Sequence, residues 1–247
     1  MVRHLYKVLG VGLVLYALIM GLITELPVMG SLGQSNRNIF YHVPTWFAVI
    51  VMMGVSVMSS IRYLRMTDPD FETKSTTLPL AFIDVKASES AKVGVLFNVL
   101  GLVTGMVWSR VTWSAHLPAN RFDAWWIWDP IQICALVSLL IYLAYFLLRS
   151  TFQDEEQKAK ISAVYNIFAF VTLIPLYFII PKMLPGAHPT AANSDAGGGS
   201  FVMGGKLGGD FSIIFWPSIV GFILLGYWLY ELKMRTAIAE IRLSEEK

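Results

Sequence analysis

The sequence predicts an all-α integral membrane protein: six transmembrane helices with a tryptophan-rich segment at their outer face. Three observations predict it. The 247 residues are 55% hydrophobic and only 15% charged, where a soluble domain carries about 25% charged residues, and the mean hydropathy is +0.59. Six apolar runs reach the roughly 17–25 residues that a bilayer crossing needs. Lysine and arginine are divided unevenly between alternate connecting segments, the bias that sets topology. A net charge of +2 with dispersed basic residues excludes nucleic acid as a partner and leaves the lipid bilayer as the surrounding phase.

The first run, residues 8–26, follows Arg3 and Lys7. That start mimics a secretory signal, but the run is long for a signal core and no small-x-small cleavage site follows, so it reads as a span. The second run, 40–61, opens on "FYHVPTW". The polar, turn-rich stretch 67–90, "TDPDFETKSTTLPLAFIDVKASES", reads as a loop. The runs at 93–111, 130–149, 161–180 and 211–231 have no charged residue in their interiors. Between the last two lies a loop, 183–210, with "DAGGGS" and "GGKLGGD". Its glycines raise the entropy cost of ordering, so it is expected to be mobile. The tail "ELKMRTAIAEIRLSEEK" is expected to continue the last span as a charged helix. With no internal repeat, residues 1–247 read as one six-span domain.

Segments 1–7, 62–92, 149–160 and 232–247 hold 14 of the lysines and arginines, and the remaining segments hold 5. The richer side marks the cytoplasm. Both termini are therefore expected there, with 27–39, 112–129 and 181–210 outside.

The single cysteine, Cys134, lies in an apolar run. It rules out an internal disulfide, a CxxC dithiol and a covalent c-type haem site, and reads as a small core or lipid-facing residue. No P-loop, HExxH, nucleophile elbow or cluster of intramembrane carboxylates occurs, so no catalytic residue is nominated and a non-enzyme is expected. Of the four histidines, His4 sits on the basic end. His42, His116 in "TWSAHLP" and His188 in "LPGAHPT" all map to the outer side.

"RFDAWWIWDP", Arg121 to Pro130, carries three tryptophans within four residues. Tryptophan and histidine are ordinary at a membrane interface, but this density exceeds an anchor's needs. On a helix Trp125 and Trp128 share a face and Trp126 points elsewhere; in a loop the three fan into a flat aromatic shelf. Such a shelf suits a large planar apolar ligand, and two neutral imidazoles at matched depth suit an iron centre. Together they indicate haem. Asp129 precedes Pro130, and proline is favoured in a helix's first turn. Asp129 therefore reads as the N-cap of the fourth span or, with Asp123, as an acceptor that orders the loop. For the two haem carboxylates the outer cations are Arg121 and Arg37, with Arg110 and Lys182 weaker candidates because each also reads as a residue snorkelling at a helix end.

"HVP" at His42–Pro44, "TGMVW" at Thr104–Trp108 and "WWIWDP" at Trp125–Pro130 together resemble the haem-handling membrane proteins of cytochrome c assembly. Length and six spans resemble the CcmC (haem exporter C) branch of that WWD-domain superfamily. The likeness is most specific over residues 40–60 and 101–145. It implies non-covalent haem b at the external face, on Trp125, Trp126 and Trp128 with Asp129 and Arg121. It further implies axial ligation by His42 and His188, with His116 the rival for the second place. The implied protein is a haem-transfer factor of the bacterial cytoplasmic (inner) membrane. Its implied partners are a CcmE-like haem chaperone, the ABC-type subunits CcmA and CcmB, and CcmD. The segment departs from the family pattern at Phe122 and Asp123, where Trp-Gly is usual, and at Ile131 and Gln132, where a cation often follows the aspartate. Competing readings are a larger CcsA-like cytochrome c synthetase, which has more spans, and a b-type electron-transfer cytochrome, which places histidines inside spans. A solute transporter usually carries intramembrane charges or broken helices.

Overall fold

The computed structural model describes residues 2–25, 34–67, 80–113, 125–188, 191 and 209–245, and every regular element among them is helical. Helix α1 spans Val2–Ile23. A 3-10 turn, Gln34–Asn38, leads directly into α2, Ile39–Thr67. Then follow α3, Leu80–Thr112; α4, Pro130–Thr151; and α5, Glu155–Ile174. Helix α5 passes through a π turn, Pro175–Ile179, into the short α6, Ile180–Met183; α7 runs from Gly209 to Glu245. With α5, the π turn and α6 taken as one, six helices are long and apolar enough to cross a membrane.

Helix α2 is the centre of the bundle. It packs most extensively on α3 and also meets α7, α5 and α1. Helix α1 lies at the edge, chiefly against α7, and exposes Leu5, Val8, Leu15, Ile19 and Leu22. That is the inverse of a water-soluble surface and is the face lipid covers. Inside, Met52, Met53, Phe97, Tyr142 and Tyr145 form the main apolar cluster. Buried polar side chains join helices across it. The Asn98 amide donates to Ser138 (2.9 Å) and to the Tyr177 hydroxyl (3.0 Å), linking α3, α4 and the π turn. Asn166 on α5 donates to Ser56 (2.7 Å) and Ser60 (2.8 Å) on α2. Helix pairs in lipid are held by such bonds and by close packing rather than by the hydrophobic effect, at about 0.6–2 kcal/mol per bond.

Three expectations meet the structure here. The stretch 67–90 is not all loop, because α3 begins at Leu80. Its polar letters conceal a helical face: Ile83, Ala87 and Ala91 are buried. Asp84 is neutralised by a two-pronged pair to Arg149 on α4 at 2.7 and 2.6 Å. Helix α2 starts at Ile39, one residue before the apolar run 40–61, and Pro44 falls in its second turn. The charged tail is helical to Glu245, as expected. The glycine-rich stretch 192–208 lies outside the described residues, as do His116, Arg121, Phe122 and Asp123. Cys134 is buried in the core.

Candidate functional site

The tryptophan segment is not helical: Trp125 to Asp129 run as an irregular strap into α4. Proline at the first position of α4 leaves the preceding residue extended, and Asp129 adopts φ −91°, ψ 140°. Two bonds shape the strap. The Asp129 amide donates to the Ile127 carbonyl at 2.8 Å, and the Ile127 amide donates to the Gln132 side chain at 3.3 Å. Gln132, itself buried, donates to Ser109 on α3 at 2.7 Å and so fixes the strap to a neighbouring helix. Trp125 and Trp128 are 54% and 72% exposed, while Trp126 turns inward. The Trp126 and Trp128 rings stand edge to face, 82° apart at 5.9 Å. The three rings therefore make two exposed surfaces and one half-buried wedge, not a flat shelf. The buried Trp126 indole N–H has no acceptor among the described residues.

Asp129 carries two loads. One carboxylate oxygen accepts from the Ile131 amide at 3.0 Å and caps α4. The other accepts from the Ala187 amide at 2.7 Å. The second bond ties the tryptophan strap to the turn bearing His188, although 58 residues separate the two partners. Contact is so close that a Cβ on Gly186 would lie 2.6 Å from the Asp129 oxygen. The turn closes on itself through the Ala191 amide and the His188 carbonyl, 2.8 Å apart. The His188 ring meets Trp113 edge to face at 6.0 Å. Burial, and secondarily the His42 ring, lower its proton affinity and keep it neutral.

His42 projects from α2 toward α3 and is only 8% exposed. It sits edge-on to Trp108 (5.6 Å) and Trp46 (6.0 Å). Its Nδ1 lies 3.0 Å from the Thr104 hydroxyl, and its Nε2 accepts from the Trp46 indole at 3.3 Å. Room for these rings comes from two glycines one turn apart on α3. A Cβ on Gly101 would sit 2.7 Å from Trp46, and one on Gly105 would sit 2.9 Å from His42. "GLVTG" is thus the small-xxx-small spacing that lets membrane helices approach closely.

His42, His188 and the tryptophan strap converge at one end of the bundle. Trp108 and Trp113, in the last turns of α3 and just beyond it, touch the two histidines. His116 and Arg121 lie outside the described residues. Arg37 is occupied elsewhere: its guanidinium donates to the Gly21, Leu22 and Thr24 carbonyls at 2.8, 3.0 and 2.7 Å, closing the C-terminus of α1. Among the described residues, Arg110 lies against the strap, stacked 4.1 Å over the Trp125 ring. Sequence reasoning ranked Arg110 as a weaker candidate at a helix end and gave Gln132, Thr104 and Trp46 no role at the site. The signal for Arg110 is weak, since only a turn in the chain brings it to Trp125. The i, i+4 step from His42 to Trp46 on one helix face was legible.

A family model described as cytochrome C assembly protein matches residues 5–188, a span that takes in both histidines and the strap. Heme exporter protein C of Paracoccus denitrificans is 24% identical over 212 residues, covering 86% of this chain and 77% of that protein. The Haemophilus influenzae protein of the same name is 27% identical over 148 residues, covering 60% and 52%. That of Escherichia coli K12 is 26% identical over 148 residues, again 60% and 52%. Against the last two, the chain spans about half the length of the relative.

Proposed function

The chain belongs to the cytochrome c assembly protein family, and on that premise we propose that it holds haem as cargo and passes it on. In this reading His42 and His188 are the axial ligands of the iron. Trp125 and Trp128 offer aromatic surface to the porphyrin, and Arg110 faces a propionate. The Trp126 N–H, without an acceptor among the described residues, supplies a further donor for an anionic edge, since buried donors are rarely left unsatisfied. Arg121, next to the tryptophans in sequence, is a second propionate partner, and His116 is the rival ligand. The site faces outward, both termini are cytoplasmic, and a CcmE-like chaperone receives haem b non-covalently bound. CcmA, CcmB and CcmD are the accompanying subunits. The names of the relatives support haem as the cargo.

One observation carries the reading: the Asp129–Ala187 bond, which holds the His188 turn against the tryptophan strap. It accounts for a ligand pair of unequal firmness. His42 is embedded between two helices, whereas His188 rides on a turn held by a charge-assisted hydrogen bond. A carrier needs one ligand that lets go, because two rigid bonds trap the cargo. Neutral imidazole is the form that binds iron, and no proton transfer or bond cleavage is asked of the protein.

The test is a hemin titration of the full-length protein in detergent, followed by its Soret and visible bands. His42→Ala and His188→Ala are each expected to lose the low-spin bis-histidine spectrum, with imidazole restoring it. Retention of that spectrum in both variants would refute the ligand pair. A change confined to His116→Ala would move the second ligand to the stretch before the strap.

A further inference from the structure

We propose that Thr104 and Trp46 hold His42 in one tautomer, with its proton on Nδ1 and its lone pair on Nε2 covered by an indole N–H. In this arrangement Trp46 is a latch that must leave Nε2 before iron binds there. The proposal rests on His42 being an iron ligand. Thr104 and Trp46 are positioning residues, acting on the cargo only through His42.

The assignment follows from what each group can do. An indole nitrogen only donates, so the imidazole nitrogen facing it, Nε2 at 3.3 Å, must be unprotonated. A neutral imidazole with a bare Nε2 carries its hydrogen on Nδ1. Opposite Nδ1, 3.0 Å away, stands the Thr104 hydroxyl. That hydroxyl has its own acceptors within the helix, the Leu100 carbonyl at 2.8 Å and the Gly101 carbonyl at 3.1 Å. Its hydrogen is therefore used, and its lone pair is what meets Nδ1–H. The reverse tautomer would set two donors face to face at Nε2 and two acceptors at Nδ1.

The two contacts differ in a way that suits their tasks. Thr104 is fixed by α3, and the missing Cβ atoms of Gly101 and Gly105 bring that helix up to the rings. Its bond to Nδ1 is of ordinary length, and metal-binding histidines commonly donate their other ring N–H to such a partner. Trp46 lies one turn beyond His42 on α2, its ring edge-on to Tyr177 at 5.3 Å. Its bond to Nε2 is at the long, weak end of N–H hydrogen bonds. Thr104 thus stays in place while Trp46 yields, and an empty site keeps its lone pair satisfied.

The experiment compares hemin affinity and spin state, by optical and electron paramagnetic resonance spectra, for the full-length protein in detergent. Thr104→Val keeps the shape and removes the acceptor. It is expected to weaken binding about 10–100-fold, as loss of an outer partner of a metal ligand does, with a rise in high-spin iron. Thr104→Ser is expected to restore both. Trp46→Phe removes the latch and is expected to tighten binding about two- to tenfold, the range of one net hydrogen bond, with the low-spin signature intact. Wild-type behaviour of Thr104→Val, failure of the serine variant to rescue, or unchanged or weakened binding in Trp46→Phe overturns the proposal. An unaltered spectrum in His42→Ala overturns the haem-ligand reading itself, so the two failures are distinguishable.

Discussion

His188 illustrates how much one side chain's surroundings decide. Burial and the neighbouring His42 ring depress its proton affinity below the ordinary imidazole value. A group whose pKa is lower folded than unfolded takes up protons on unfolding, so it makes stability rise with pH in the window between the two values. The contribution is complete above about pH 6.5, the unperturbed value, and is lost progressively below it. Thermal melts at pH 7.5 and pH 5 are expected to show an acid-sensitive protein, with the pH difference reduced in His188→Gln. An equal drop in both would assign the sensitivity to other groups. The tryptophans divide by a similar argument. Trp125 and Trp128 are exposed and Trp126 is a wedge. Each Trp→Phe at 125 or 128 is expected to be mild, since stacking adds about 0.5–1.5 kcal/mol beyond burial. Alanine at all three positions is expected to abolish retained haem, read from the Soret absorbance of the purified protein. Full haem content in the triple variant would reduce the strap to an interface anchor.

At the scale of elements, the strap and the His188 turn behave as a pair joined by Asp129. Removing its carboxylate costs the α4 cap, about 0.5–2 kcal/mol, and frees the Ala187 amide as well. Gly186→Ala attacks the same joint from the other side, because its Cβ would fall 2.6 Å from the Asp129 oxygen. Asp129→Ala and Gly186→Ala are both expected to speed proteolysis of the turn and to lower haem retention. Gly12→Ala and Gly54→Ala, where a Cβ meets open space, are expected to change neither. If Gly186→Ala left the turn as protected as in the wild type, the close approach would have no energetic weight. A cap was legible from Asp-Pro before an apolar run. The bond to Ala187 was not, because nothing local marks which distant amide fills the second oxygen.

Across the whole molecule the helices set depth and the positive-inside bias sets direction. The 14-to-5 division of lysine and arginine predicts that a reporter fused after Lys247 acts in the cytoplasm and one inserted within 192–208 acts outside. An external C-terminus would place the histidine end of the bundle on the cytoplasmic side and exclude delivery to an external chaperone.

Composition and apolar run length determined the fold class and six spans, because a bilayer demands lengths that can be counted in a sequence. The helical start at Leu80 was hidden, since Asp84, Lys86 and Glu89 read as loop until α4 supplies Arg149 for Asp84 and the next turn of α3 supplies Lys92 for Glu89. Residue types also nominated the outer histidines His42, His116 and His188 and the tryptophan strap, because iron and porphyrin call for few chemistries; the family resemblance selected His42 and His188 among them. Tertiary structure alone decided their mutual arrangement: Thr104 and Trp46 on the two nitrogens of His42, Arg110 over Trp125, and Asp129 holding the turn of His188. Those contacts join positions far apart in the chain or on facing helices, and their partners are chosen by helix packing, which no local pattern encodes.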